Sequence, residues 1–124
     1  MFEAKDHTFA ICAYKESLYL EECVESLISQ TIQTNIIITT STPNEYIKGI
    51  AVKYSIPLIA NENDPSIASD WNFAVSQTST PLVTIAHQDD VYKPDYIEEI
   101  IKKINMSPSS LIAFTDYGEI KNGI

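Results

Sequence analysis

Short apolar runs alternate along the chain with stretches whose apolar residues recur every third or fourth position. Phe9 to Tyr14 (Phe-Ala-Ile-Cys-Ala-Tyr) is a nearly continuous apolar run, the form of a strand buried on both faces. Ser17 then offers a helix cap, and Leu20, Val24, Leu27 and Ile28 follow the i, i+4, i+7, i+8 spacing of one buried helical face, with Glu21, Glu22 and Glu25 on the wet side. Ile36-Ile37-Ile38-Thr39-Thr40 is β-branched throughout and predicts a second strand, ended by the Ser-Thr-Pro-Asn turn at 41–44. Ile47, Ile50, Ala51 and Tyr54 predict a second helix, Pro57-Leu58-Ile59 a brief third strand, and Asn61 to Pro65 a loop. Ser66 or Asp64 starts a third helix with Ile67, Trp71, Ala74 and Val75 on one face, and Leu82 to Ala86 is the fourth strand. Lys93-Pro94-Asp95 opens a fourth helix, with Pro94 in its first turn and Ile97, Ile100, Ile101 and Ile104 as its buried stripe. Ser107-Pro108-Ser109 breaks that helix before a fifth strand, Leu111 to Thr115.

Strand and helix alternate without interruption, which predicts an α/β fold: a mostly parallel sheet with helices on both faces and right-handed crossovers. At 124 residues the expectation is one domain, 1–124, large enough for a core without disulfides or structural metal. Its last residues, Gly123-Ile124, follow a strand, so the domain is expected to be truncated before a further half. In such a sheet the ligand crevice lies beyond the C-terminal strand ends, which gathers Ala13 to Glu16, Thr39 to Thr42, Asn61 to Asn63 and His87 to Asp90.

Composition narrows the partners. The net charge is −9 and the eight basic residues are all lysines, so no arginine can clamp a phosphate bidentately or read a guanine edge. Nucleic acid is a poor candidate and no such partner is expected, and an anionic ligand needs a metal or a helix N-terminus to offset the repulsion. With only three glycines, at 49, 118 and 123, neither a dinucleotide-binding fingerprint nor a P-loop can be written. Cys12 and Cys23 fall on apolar segments and read as small buried thiols. The N-terminus lacks the pattern of a signal peptide and no segment approaches a membrane span, so a cytoplasmic location is expected, at the inner face of the membrane if a full-length protein docks there.

The candidate chemistry concentrates at Thr84-Ile85-Ala86-His87-Gln88-Asp89-Asp90. Two adjacent carboxylates at the mouth of a sheet repel each other, and a divalent cation with oxygen ligands relieves that repulsion. The plainer reading is a pair of helix-capping aspartates. His87 is either a ligand to metal or phosphate or a hydrogen-bonded strand end. Asp116, at the end of the fifth strand, reads as a turn cap that could also approach the crevice.

These residues together resemble the nucleotide-sugar-binding half of a family 2 glycosyltransferase of the GT-A fold, and the resemblance runs through nearly the whole chain. Tyr14, and then Tyr19-Leu20-Glu21-Glu22-Cys23-Val24-Glu25-Ser26-Leu27-Ile28-Ser29-Gln30-Thr31, is similar to that family's first strand and first helix. Trp71-Asn72-Phe73-Ala74 stands where the family has Arg-Asn-x-Gly, and Pro81 to Asp90 where a strand runs into its Asp-x-Asp-Asp metal motif. The resemblance implies a nucleotide-diphospho-sugar donor, a saccharide or lipid-linked acceptor, a divalent metal (Mn²⁺ or Mg²⁺), and transfer with inversion at the anomeric carbon. It places the metal at Asp89 and Asp90, and donor contacts at Ala13, Tyr14, Glu16, Thr40, Ser41, Trp71, His87 and Gln88. The catalytic base is expected in the acceptor half, beyond this chain.

Several positions depart from the family pattern. His87 replaces the first acid of the metal motif, and imidazole suits Mn²⁺ better than Mg²⁺. Thr39 and Thr40 replace paired aspartates, one of which commonly recognises the nucleotide base, so Thr40 and Ser41 stand as neutral substitutes. Asp70 and Trp71 replace a basic neighbourhood that often faces phosphate. The departures define an alternative, a degenerate, catalytically inactive binding module. A nucleotidyltransferase would need a glycine-rich phosphate loop after the first strand, which this chain lacks.

Overall fold

The structure is a computed structural model that describes residues 2–62 and 66–106. The expected fifth strand, Asp116 and Asn63 lie outside the described residues. After a short 3₁₀ turn at Ala4–Asp6 come β1 (His7–Ala13), α1 (Leu20–Ile28), β2 (Asn35–Thr40), α2 (Glu45–Lys53), β3 (Leu58–Ala60), α3 (Ile67–Ser76), β4 (Leu82–His87) and α4 (Tyr96–Met106). The strands form one parallel sheet in the order β3-β2-β1-β4.

Alternation along β1 separates two faces. His7, Phe9, Ile11 and Ala13 point to one side, where Phe9, Ile11 and Ala13 join Leu20, Val24 and Leu27 of α1, Ile47, Ile50 and Ala51 of α2, and the Ile97, Ile100, Ile101 and Ile104 stripe of α4 in one core. Each large side chain fully buried there contributes roughly 1.5–3 kcal/mol of hydrophobic stabilisation. Thr8, Ala10 and Cys12 point to the other side, where α3 lies across β1, β2 and β4. Helices therefore cover both faces, as the alternation of periods predicts.

The stripe expected on α3 is only partly buried. Ala74 is fully buried, but Trp71 and Val75 are exposed. On that face Ile37, Val83 and Ile85 are only half-buried, so the single helix covers it in part, and Trp71 lies toward the sheet's C-terminal edge against His87. At the opposite edge His7 is 1% exposed, with Nδ1 3.0 Å from Thr34 Oγ1 and Nε2 2.8 Å from Thr84 Oγ1. Burial holds its pKa down at about 4, so the ring is neutral, one nitrogen donating and the other accepting.

Candidate functional site

The connection from β3 through α3 to β4 crosses the sheet to the far side of β1, so the strand order reverses between β1 and β4, the place where open α/β sheets bind ligands. In register Cys12 pairs with His87 and Ala13 with Thr40, which puts the ends of β1, β2 and β4 side by side. The loops that leave these ends are bound to one another. Gln88 clasps the Tyr14 backbone, accepting from its N–H at 3.0 Å and donating Nε2–H to its carbonyl at 3.1 Å. Lys15, in the left-handed region at φ 55, donates its N–H to Thr42 Oγ1, and Asn44 Nδ2 donates back to the Lys15 carbonyl at 3.0 Å. Asn44 Oδ1 also caps α2, accepting from Ile47 N–H at 2.8 Å.

Ser17 does not cap α1 as expected. The N-cap is Tyr19, and the Ser17 hydroxyl oxygen accepts from the Tyr19 N–H at 3.2 Å while the hydroxyl donates to Asp89 Oδ1 at 2.7 Å. A residue that reads as local helix chemistry thus orients the acidic loop after β4. Asp89 is exposed, with Oδ2 outside that bond, whereas Asp90 is 2% exposed. Both Asp90 carboxylate oxygens are buried without a hydrogen-bond partner among the described residues. Around them burial, and then the charges of Asp90 and Asp89, push the Cys23 thiol up to about 12. Burial, followed by Cys23 and Asp90, raises Tyr92 as well.

On the α3 side of the sheet, the Trp71 ring stands 5.4 Å from His87, centroid to centroid. Asp70 accepts from Asn61 Nδ2 at 3.1 Å through Oδ1 and from the Ser41 hydroxyl at 3.4 Å through Oδ2.

The sequence-predicted residues divide accordingly. Tyr14, Ser41, His87, Gln88 and Asp89 lie at the C-terminal strand ends, where Tyr14 is bound to Gln88 and Trp71 packs on His87, and Glu16 is exposed on the β1 loop. Ala13, Thr40 and Asp90 are buried at the same strand ends, and the Thr40 hydroxyl is occupied by the Thr42 N–H at 3.0 Å. Ser17 and, as a group at the strand ends, the carboxylate of Asp70 are what sequence reasoning missed; Asn61, expected at the crevice, is buried there and donates to Asp70. Only their position just past a strand or on a facing helix turn could have marked them.

For a divalent cation, Asp89 offers a hard oxygen donor at the crevice surface, and the buried, unpartnered carboxylate of Asp90 adds negative potential behind it. Among the described residues no group of three or more His, Cys, Asp or Glu side chains converges as a cage. Such a donor set fits an ion held by one or two carboxylates and completed by ligand phosphates, the usual manner of Mg²⁺. Among the described residues no helix is long and apolar enough to cross a membrane.

The structure is similar to S. aureus TarS, residues 1–349, with a TM-score of 0.72 and 16% identity over 81% of this chain and 32% of that one. Glucosyl-3-phosphoglycerate synthase from Mycobacterium tuberculosis, in complex with Mg²⁺ and uridine diphosphate, superposes with a TM-score of 0.68 at 13% identity, over 79% of this chain and 38% of that one. CMP:2-keto-3-deoxy-manno-octonic acid synthetase complexed with CTP gives 0.66 at 10% identity, over 83% of this chain and 48% of that one. At these identities the likeness establishes a common fold, and the chain spans less than half the length of each of these proteins. No curated protein sequence matches. The profile of the family described as Glycosyl transferase family 2 matches residues 8–123, nearly the entire chain, and the chain therefore belongs to that family.

Proposed function

We propose that this chain is the donor-binding part of a metal-dependent glycosyltransferase, which binds a nucleotide-diphospho-sugar and passes its sugar, with inversion, to a saccharide or lipid-linked acceptor. The observation that carries the reading is the Ser17–Asp89 hydrogen bond at 2.7 Å, which fixes one exposed carboxylate at the β1/β4 switch point of a family 2 fold. Asp89 is the residue that would hold Mg²⁺ or Mn²⁺, with Asp90 buried behind it and His87 beside it. A bound ion supplies Lewis-acid stabilisation of the departing diphosphate, worth several kcal/mol. Without arginine, a chain of net charge −9 depends on that ion to hold a polyanion. The ion and uridine diphosphate in the M. tuberculosis neighbour support the same reading here.

The chain's own residues orient the donor. Gln88 fixes the Tyr14 loop, Tyr14 and Trp71 offer exposed aromatic faces to a base or sugar ring, and Ser41 offers a hydroxyl. The general base that deprotonates the acceptor is assigned to the acceptor half, and the reaction to the cytoplasm or the inner face of the membrane.

Calorimetry with uridine, guanosine, cytidine and thymidine diphosphates, with and without Mn²⁺, tests this. At least one should bind only with the ion, and Asp89→Asn should weaken that binding tenfold or more, about 1.4 kcal/mol. Absence of metal-dependent binding by all four sinks the proposal in favour of a degenerate binding module.

A further inference from the structure

We propose that Asp70 reads the nucleobase, selecting bases that present a ring N–H (uracil, thymine or guanine) over cytosine. The inference rests on the donor-binding reading above and assigns the base specificity of the same crevice. The C-terminal ends of β1 and β2 carry no carboxylate of their own: they are Cys12-Ala13 and Thr39-Thr40. Both threonines are buried, and the Thr40 hydroxyl is spent on the Thr42 N–H. Helix α3, started by Ser66 whose side chain accepts from Ser69 N–H, lies across these strands and delivers a carboxylate there from the opposite face. Asp70 reaches the residue just after β2, Ser41, at 3.4 Å, and the residue just after β3, Asn61, at 3.1 Å. Its charge also adds to burial in raising the Cys12 thiol at the end of β1. Asn61 is itself 3% exposed, so the amide that aims Asp70 is a built part of the fold.

The chemistry of the group then sorts the ligand. A carboxylate accepts and does not donate, and its two oxygens offer about four lone-pair positions, of which Asn61 and Ser41 take two. The remainder can receive N–H or O–H groups and repel phosphate. The diphosphate must therefore lie toward Asp89, at the β1/β4 end of the crevice, and the uncharged nucleoside toward Asp70, at the β2/β3 end. Uracil, thymine and guanine carry a protonated ring nitrogen on the Watson–Crick edge, whereas the corresponding nitrogen of cytosine is an acceptor and meets the carboxylate lone pair to lone pair.

The test measures Mn²⁺-dependent binding of uridine and guanosine diphosphates, their N3-methyl and N1-methyl analogues, and cytidine diphosphate to the 124-residue chain and to Asp70→Asn. The unmodified form of whichever of the two diphosphates binds better should bind the native chain at least tenfold more tightly than its methylated form and than cytidine diphosphate. In Asp70→Asn, whose amide can donate to cytosine, both ratios should fall tenfold or more. Equal binding of methylated and unmodified base by the native chain, tighter binding of cytidine diphosphate, or a uniform loss in Asp70→Asn with unchanged ratios overturns the inference and leaves the donor-binding reading intact. If no diphosphate binds with the ion, the donor-binding reading itself has failed. The methylated-base comparison uses the native chain alone, so it stands even if the variant folds poorly.

Discussion

Replacing His7 by glutamine should flatten the acid limb of the stability curve. In the folded chain burial lowers the His7 pKa from 6.5 to about 4, while the unfolded chain keeps the ordinary value. Between these values the unfolded state binds more protons than the folded one, so stability rises with pH across the window and falls as the solution is acidified. From about one pH unit above 6.5 the ring is neutral in both states and contributes no pH dependence. At pH 4.5 the unfolded ring is almost fully protonated and the folded ring only partly, a difference of about 2.5 kcal/mol against folding, and below pH 4 it levels off at roughly 3.4 kcal/mol. Both ring nitrogens are hydrogen-bonded to threonine hydroxyls, at 3.0 and 2.8 Å, so His7→Gln costs some stability at every pH. The informative quantity is therefore the difference in slope. Urea unfolding of both proteins at pH 7.5 and 4.5 should show the native chain losing about 2.5 kcal/mol more than the variant. Glu21 and Glu98, whose carboxyls are held low by Lys53 and by Thr31 respectively, also lose stabilisation on acidification, but the variant keeps them and they cancel. Parallel losses in the two proteins would falsify the assignment of a buried neutral His7.

Three further outcomes follow from the geometry. Ser17→Ala removes both the donor to Asp89 Oδ1 and the acceptor of the Tyr19 N–H; it should cost about 1 kcal/mol in urea unfolding and weaken Mn²⁺-dependent nucleotide binding several-fold, and unchanged ion dependence would refute the orienting role. Gln30 is 4% exposed and ties α1 to the start of α4, donating to the carbonyls of Ser26 and Lys93 and accepting from Ile97 N–H at 2.9 Å; Gln30→Ala strands those groups and should cost about 2–4 kcal/mol, with a loss under 1 kcal/mol showing that the tie is dispensable. Cys23, fully buried with its thiol pushed up to about 12, should resist iodoacetamide at pH 8 until the chain unfolds, while half-buried Cys12 labels first; mass spectrometry showing the reverse order would contradict the packing of α1.

The four described strands, the helices and the parallel α/β arrangement were legible in the order of residues because each depends on a local period. The isoleucine stripe of α4 and the β-branched run of β2 appear where their spacing puts them. Helix α3 is the exception: its apolar spacing implied a buried Trp71, yet only Ala74 of the described stripe is buried, and Ile37, Val83 and Ile85 on the sheet face it crosses are only half-buried, so one helix covers that face in part. The placement of the acidic loop after β4 was legible too, since a carboxylate pair just past an apolar run falls at a strand end in any such sheet.

What the sequence determined by itself is therefore the class of fold and the family resemblance that residues 8–123 bear out. The tertiary structure decided which polar groups face the crevice and which lie beneath it. Adjacent Asp89 and Asp90 differ only by one step along the backbone, but one points to solvent and the other into the space near Cys23 and Tyr92. Ser17 meets Asp89 across 72 positions of sequence, and Asp70 comes from a helix on the far face to the end of a strand it does not follow. Local periodicity encodes which way a side chain leaves its own element; the partner it meets depends on how the elements pack, and that is a property of the whole chain.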